Sequence, residues 1–176
     1  MGDISHGRGR IVTDQDAENI TRVEELAYEL KVHAVMAADP MTVSPETSMQ
    51  EALDLFRRER ISGAPVLSNQ ELIGIISIED LIRCLKNGDL TSPVSDYMST
   101  KLLTVRGSDP VIEALKLFVS SHYGRLPVLD SNNKLIGIIT KGDITSGILQ
   151  ALQKDYHAEE VRRYRASHLF EDINSD

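Results

Sequence analysis

Hydrophobic positions in the first half of the chain change from a helical to a strand period. At residues 49–56 they recur at i, i+3, i+4 and i+7, which predicts an amphipathic helix. Two β-rich runs follow at 64–67 and 72–77, and the polar residues 68–71 between them predict a hairpin turn. A second helix is then predicted. Its apolar side holds Ile78, Leu81, Ile82 and Leu85, and also the single cysteine, Cys84.

The same unit occurs twice. Shifting the chain by 62 residues aligns the first copy with the second, and one extra residue in the turn at 130–134 raises the shift to 63. The aligned segments are 41–43 with 103–105, 51–56 with 113–118, 64–67 with 126–129, and 72–77 with 135–140. Each copy therefore runs strand, helix, strand, strand, helix. Identities spread over the whole unit indicate an internal repeat.

Helix starts are marked in both copies. Thr47 or Ser48, followed by Gln50 and Glu51, supplies capping-box residues before the first helix. The pair Asp-Pro at 109–110 offers a cap and a proline at the first helical position. One unit is too small to bury both helix faces and its sheet. We therefore expect an α/β (α+β) fold in which two units pack sheet to sheet, with a pseudo-twofold axis relating two clefts.

Composition narrows the class of protein. The 176 residues can bury one core or two small ones, and the hydrophobic content of 41% includes no membrane-length run and no signal-peptide core. These features predict a cytoplasmic protein without a membrane partner. A single cysteine excludes a disulfide scaffold and a multi-cysteine metal site, so Cys84 is predicted to be a buried, inert thiol.

Charge and motifs exclude further functions. The net charge of −8, with 5% aromatic residues and no tryptophan, argues against nucleic-acid binding. An anionic ligand would have to be held locally, by helix N-termini, backbone amides and a few basic groups. The sequence contains no Walker loop, Rossmann fingerprint or His-Glu-x-x-His motif, and its histidines lack metal-ligand spacing. We expect neither a catalytic residue nor a metal site.

Both copies resemble a known repeat from end to end. The residues that carry the resemblance are 35–36, 40–43, 62–66 and 72–80 in the first copy, and 97–98, 124–130 and 137–143 in the second. The pattern is similar to that of tandem CBS (cystathionine β-synthase-type) repeats, which form a Bateman module, and it covers roughly residues 32–150. The resemblance predicts an N-terminal tail and helix (1–31), repeat 1 (32–92), repeat 2 (93–152) and a C-terminal linker helix (153–176).

The resemblance implies a regulatory module and not an enzyme. Such modules often form homodimers through their CBS repeats. They bind adenosine-containing ligands such as AMP, ADP, ATP or S-adenosylmethionine, and no other cofactor is required. The ligand state would be transmitted to a partner protein or to a fused C-terminal effector domain.

The ribose-phosphate motif of the family is Gly-h-x-Ser/Thr-x-x-Asp, where h is apolar, and both copies retain it at 74–80 and 137–143. A strand ends at Ser77 or Thr140 and a helix begins, so the hydroxyl and the free N–H groups of its first turn can donate to a phosphate. One turn further, Asp80 or Asp143 can accept from the ribose hydroxyls through charge-assisted bonds. Lys141 would add positive charge beside the second motif only.

By family analogy each cleft borrows part of its wall from the other repeat. The first predicted site contains Ile138, Thr140 and Asp143, with Met41, Ile61 and Ser62 crossing over and Arg125 near the phosphates. The second predicted site contains Ile75, Ser77 and Asp80, with Leu103, Tyr123 and Gly124 crossing over. Because repeat 1 has Gly63 at the position of Arg125, we expect the Asp143 site to bind polyanions better.

Several alternatives remain at this stage. Ser77-x-x-Asp80 and Thr140-x-x-Asp143 are also acceptable capping boxes, which capping alone would explain. The module could be a structural homodimerisation platform without a nucleotide, or could sense a metal ion or a nucleic acid for a partner.

The two ends carry expectations of their own. Residues 1–12 are expected to be a loose tail, and a helix is predicted over residues 14–35. The long charged helix after Asp143 either transmits a signal or only closes the core. Its ending resembles the lead-in to a histidine-kinase-like ATPase domain, which would make this chain a sensor fragment of a larger protein.

Overall fold

A computed structural model describes the backbone of residues 14–173 and the side chains of residues 21–163; the tail predicted at residues 1–12 lies outside this range. The helices are α1 (Asp14–Glu29), α2 (Val32–Val35), α3 (Met49–Glu59), α4 (Ile78–Asn87), α5 (Val111–Ser120) and α6 (Lys141–Ile173). The strands are β1 (Ala37–Ala38), β2 (Gly63–Ser68), β3 (Glu71–Ser77), β4 (Val105–Arg106), β5 (Arg125–Leu129) and β6 (Leu135–Thr140). A 3-10 turn at Val94–Asp96 links the repeats. The predicted mixed α/β fold with two repeated units is confirmed.

Both hairpins form where the sequence predicts them. In the β2–β3 hairpin the turn residues Asn69 and Gln70 have φ angles of 49° and 69°, so the two strands are joined by a tight left-handed turn. The extra residue of the second hairpin is absorbed in a longer turn, where the Asp130 carboxylate accepts from the backbone N–H groups of Asn132 and Lys134. Ser48 and Glu51 form the predicted capping box before α3.

Each sheet is completed by the segment that leads into the other repeat. The four-stranded sheet has the order β1-β6-β5-β4, in which Ala37 pairs with Ile138. At the equivalent place in the β2–β3 sheet, Ser99 and Ile75 exchange two backbone hydrogen bonds of 2.9 and 3.0 Å. The chain therefore crosses between the units twice, and this exchange holds the two repeats together.

The hydrophobic core is divided into two clusters. The first holds Val43, Met49, Ala52, Phe56, Ala64, Val66, Ile76, Leu81, Cys84 and Val94. The second holds Ala27, Val32, Val105, Val111, Ala114, Phe118, Leu126, Val128, Ile139 and Ile144. Because Ala27 precedes repeat 1 and Val32 is its first residue, yet both pack with repeat 2, the packing units are offset from the sequence repeats.

The N-terminal helix is not continuous over residues 14–35, so that prediction was wrong. The helix breaks between Leu30 and Val32, because the backbone there bonds to the loop before α5. Val32 donates to the carbonyl of Asp109, and Val111 donates to the carbonyl of Leu30, both at 2.9 Å. The same loop makes Pro110 the N-cap of α5 and not its first helical residue.

The apolar residues of α4 do not form one buried face, which corrects the predicted side. Leu81 and Cys84 are buried in the first core, as expected for an inert thiol. Ile78, Ile82 and Leu85 are 41%, 48% and 48% exposed. These three recur at i, i+4 and i+7 and so form a second stripe, which the core beneath Leu81 and Cys84 does not cover.

The last helix extends far beyond the second repeat. It has 33 residues, which corresponds to about 50 Å, and runs without a break through the boundary predicted at 152/153. Gly147 faces α2 so closely that a Cβ would collide with the Val35 side chain. On α1, Arg22 bonds to Asp155 of α6 at 2.9 Å. No helix in the described range is long and apolar enough to cross a membrane.

Candidate functional site

The first motif is a network centred on Asp80 at the start of α4. Its Oδ2 atom accepts from both the backbone N–H and the hydroxyl of Ser77, each at 2.8 Å. The Oδ1 atom accepts from Arg83 at 2.8 Å, and the same Arg83 nitrogen donates to the carbonyl of Tyr97 at 2.6 Å. Asp80 is only 8% exposed, whereas the side chain of its partner Arg83 is 57% exposed, so a buried carboxylate is paired with a cation at the surface.

The second motif repeats the capping geometry without the arginine. The Oδ2 atom of Asp143 accepts from the backbone N–H of Thr140 at 2.8 Å and from its hydroxyl at 2.7 Å. The position equivalent to Arg83 is Ser146, and within the described part of the chain no group donates to Oδ1 of Asp143. The capping interpretation therefore holds for both motifs, and a lone pair remains for a ligand at Asp143.

A cavity of about 270 Å³ lies beside the first motif, and its wall contains residues of both repeats. It is lined by Ile75, Ser77, Glu79, Asp80, Ser99, His122, Tyr123, Gly124 and Arg125. Five of the six residues predicted for the Asp80 site therefore lie together in one cavity. The sixth, Leu103, does not line it, because its side chain packs against the second core.

Arg125 belongs to this cavity, whereas the sequence assigned it to the Asp143 site. Its Nη2 atom donates to the Ser62 hydroxyl at 2.6 Å, and its guanidinium lies against Gly63. Gly63 is the residue equivalent to Arg125, so the two meet where the repeats approach each other. Only one of them can carry a long side chain there, because a Cβ on Gly63 would collide with the guanidinium. This crowding directs Arg125 towards repeat 1.

Glu79 is the functional candidate that the sequence analysis missed. It stands between the two motif residues Ser77 and Asp80, at a position where the family motif leaves the residue type open. The pKa of its carboxyl is lowered chiefly by a hydrogen bond from its own backbone N–H, with Arg125 as a favourable charge nearby. The Ser77 hydroxyl is the second cause of the lowered pKa, and the charge of Arg125 is the smallest. Burial lowers the pKa of Arg125, and Glu79 opposes that effect.

The remaining residues predicted for the Asp143 site are more scattered. Ile138 lies opposite Ala37 in the sheet, beside the segment that crosses over. Ile61 packs against the first core, and Met41 is 45% exposed beyond the end of β1. A ligand contact for these three stays a prediction.

Comparison with known sequences places both repeats in one family. The model of the CBS domain family matches residues 32–87 and again residues 94–150. An uncharacterised protein of Methanocaldococcus jannaschii is 31% identical over 153 residues, which are 85% of this chain and 51% of that protein. Inosine-5′-monophosphate dehydrogenase of Aquifex aeolicus is 36% identical over 125 residues, 70% of this chain and 25% of the enzyme. The chain thus spans about half of the first relative and a quarter of the second, and the match to the dehydrogenase falls on its CBS region.

Solved structures give the same result. The CBS-pair protein CBSX2 from Arabidopsis thaliana superposes with a TM-score of 0.64 at 30% identity, covering 70% of this chain and 96% of that chain. The same protein solved in complex with AMP gives a TM-score of 0.61 at 31% identity, covering 69% and 97%. The repeated β-α-β-β-α unit, the two Ser/Thr-x-x-Asp motifs and these matches agree: the chain belongs to the CBS domain family and carries two CBS domains in tandem.

Proposed function

We propose that this chain is a regulatory module that binds adenosine-containing ligands in clefts between its CBS repeats. The cavity at Asp80 carries the proposal, because its wall joins the Ser77 and Asp80 pair of repeat 1 to Tyr123, Gly124 and Arg125 of repeat 2. A ligand that fills it touches both repeats and therefore responds to the angle between them. The AMP complex of CBSX2, a relative at 31% identity, supports adenosine as the common part of the ligand.

The chemistry of the two clefts fits a nucleoside. Each aspartate can accept from the ribose hydroxyls, and at Asp143 an oxygen is available for this. Tyr123 is fixed by the bond from its hydroxyl to the carbonyl of Lys101 at 2.8 Å, so its ring can form a rigid wall for a base. The sites proposed from sequence become, with Arg125 reassigned, one cleft around Asp80 and one around Asp143. Neither needs a metal or a further cofactor, and the module itself is not an enzyme.

Binding should appear as thermal stabilisation. A ligand present at a hundred times its dissociation constant stabilises the folded state by about 2.7 kcal/mol, which raises the melting temperature by roughly 5–10 °C. We expect such a shift from AMP, ADP, ATP, adenosine or S-adenosylmethionine, and its loss in the double variant Asp80→Ala/Asp143→Ala. Each protein is compared with its own unliganded state, because either substitution also removes a helix cap.

Asp54→Ala is the matched control, since Asp54 lies exposed on α3 and its carboxylate accepts a hydrogen bond from Gln50 on the same helix. This variant should keep the full ligand shift. If no adenosine compound stabilises the wild-type protein, or if the double variant keeps the shift, the proposed function is wrong.

Output is proposed to pass through the terminal helices. The tail and helix of residues 1–31 and the linker helix of residues 153–176 flank the repeats assigned to 32–92 and 93–152. Arg22 of α1 is bonded to Asp155 of α6. If a change in the angle between the repeats moves one of these helices, the other helix is therefore displaced as well. Only a ligand with different affinity for the two arrangements can drive such a change. The receiver would be a partner protein or a fused C-terminal effector domain.

A homodimer is proposed as the assembled state. The exposed stripe of Ile78, Ile82 and Leu85 on α4 favours it. From the family resemblance, we propose that a second copy of the module covers this stripe. As a second candidate function, this stripe would serve a dimerisation platform even with empty clefts. The thermal experiment above separates the two functions.

Sedimentation velocity tests the dimer. We expect a dimer for the wild type at about 20 μM, and a dissociation constant at least about tenfold higher for Ile82→Glu, because a carboxylate would be desolvated in the interface. Val119→Glu is the control, since Val119 is a single exposed apolar residue on α5. A monomeric wild type, or equal effects of the two substitutions, would contradict the assignment of this surface.

A further inference from the structure

The two clefts differ most sharply at one position of the motif. Glu79 occupies the place between Ser77 and Asp80, and its equivalent between Thr140 and Asp143 is Gly142. The Glu79 side chain lines the cavity at Asp80 together with Arg125. The cleft at Asp80 therefore has a second carboxylate in its wall, and the motif at Asp143 does not.

The Glu79 carboxylate lies where an anionic group of a ligand would be held. It accepts a hydrogen bond from its own backbone N–H in the first turn of α4. The N–H groups and the positive end of a first helical turn attract a phosphate, and here the Ile78 N–H already donates to the carbonyl of Ser62 at 3.0 Å. Since the pKa of the Glu79 carboxyl is lowered, this group is ionised at neutral pH. Its negative charge therefore already occupies part of the positive field at the start of α4, which a phosphate would otherwise use.

Both arginines near the cavity already have an acidic neighbour. Arg83 is bonded to Asp80. Arg125 bonds to Ser62, and Glu79 is the charged group that raises its pKa against the effect of burial. A phosphate brought beside Ser77 would meet the charge of Arg125 and that of Glu79 together. Two like charges a few ångströms apart repel each other, while an uncharged substituent meets no such opposition.

We propose that the Glu79 carboxylate makes the cleft at Asp80 select adenosine derivatives that carry no 5′-phosphate. The ribose would bind at Asp80, and the substituent on its 5′ carbon would lie against Ser77 and Glu79. Substituents that are uncharged or cationic, such as a hydroxyl, a thioether or a sulfonium, fit this surrounding. The inference rests on the proposed function, because it assigns a ligand class to one of its two clefts.

The second motif allows the opposite substitution, in which a carboxylate is added and not removed. A Cβ built on Gly142 would meet only the Thr140 hydroxyl oxygen, at 3.5 Å, which is ordinary contact, and the φ of Gly142 is not in the left-handed region. The backbone at Gly142 therefore accepts a side chain, and Gly142→Glu places a carboxylate at the equivalent position of the other motif. Lys141 follows Thr140 directly and adds a positive charge where repeat 1 has Ile78.

Calorimetric titration with adenosine and AMP tests the proposal, in low salt and without divalent cations. The Asp143→Ala variant isolates the cleft at Asp80, and there we expect adenosine to bind more tightly than AMP. Adding Glu79→Gln, which keeps the size and removes the charge, should change the ratio of the two dissociation constants by about tenfold in favour of AMP. In the Asp80→Ala variant, adding Gly142→Glu should change that ratio by about tenfold in favour of adenosine. Both changes should shrink as the salt concentration rises.

The outcomes separate this inference from the function on which it rests. If the cleft at Asp80 binds AMP as well as adenosine and Glu79→Gln leaves the ratio unchanged, the inference is wrong while the nucleoside-binding function stands. If neither compound binds to the wild-type protein, the proposed function itself fails. A ratio that moves in opposite directions in the two variants supports the inference, because a general loss of folding would lower both affinities alike.

Discussion

Phe118→Ala is expected to lower the free energy of unfolding by about 3–5 kcal/mol, because it leaves a cavity in a small core. Phe118 is 2% exposed and belongs to the second cluster with Val128 and Ile139. Each half of the protein has its own cluster, so few neighbouring side chains are available to fill the space. The ring also lies beneath Lys141, whose Nζ atom is 5.8 Å from the ring centre, and this cation–π contact is lost too.

Urea denaturation measures the change directly. The adjacent Val119→Ala is the matched control, since Val119 is 88% exposed and its truncation should alter the free energy of unfolding by no more than about 0.5 kcal/mol. Phe56→Ala tests the equivalent position of the first core, where Phe56 is 3% exposed, and should cost about as much. A cost below about 1 kcal/mol for Phe118→Ala would mean that the second core is not packed as described.

Gly63→Ala is expected to destabilise the protein by about 1–3 kcal/mol and to displace Arg125 from the cavity wall. The new methyl group would collide with the guanidinium and would lie 2.8 Å from the carbonyl oxygen of Ile76. A flexible side chain can move away, but the backbone of β3 cannot move without disturbing its pairing with β2. The bond from Arg125 to Ser62 should then be lost, and with it a polar contact between the repeats.

Gly124→Ala is the control for this prediction. Gly124 is equivalent to Ser62 in the other repeat, and no atom lies within 4 Å of a Cβ built on it. Its substitution should leave stability unchanged or raise it by up to about 1 kcal/mol, since alanine restricts the unfolded chain. Equal costs for Gly63→Ala and Gly124→Ala would refute the close approach of the repeats at Gly63. Crosslinking or nuclear magnetic resonance of the Arg125 side chain would report its displacement.

Local features of the fold were predictable from the sequence. The amphipathic helices α3 and α5, the Asn69-Gln70 turn and the Ser48–Glu51 cap follow from spacing and residue type over a few positions. The same holds for the site motifs, because Asp80 and Asp143 lie one helical turn after their hydroxyl partners and bond to them. The internal repeat then indicated two clefts, and the resemblance supplied their ligand class.

Contacts between distant segments were decided by the tertiary structure. The exchange that pairs Ala37 and Ala38 with repeat 2 and Ser99 with repeat 1 involves only one or two residues on each side, which leave no periodic pattern in the sequence. The break before Val32 arises from bonds to a loop about eighty residues away in the chain. Likewise, spacing predicted an apolar side for α4, but only the position of the core shows that Ile82 lies outside it.

The position of Arg125 shows most clearly which features the sequence determined and which the tertiary structure decided. The sequence by itself determined that the two repeats differ here, with glycine in one and arginine in the other. Its side chain is long enough to reach either cleft, so the sequence could not determine which one receives the charge. The tertiary structure decided this, because the repeats meet at Gly63, where the missing Cβ leaves room for the guanidinium beside Ser62. Packing across the pseudo-twofold axis, and not the local motif, places the charge beside Glu79 and Asp80.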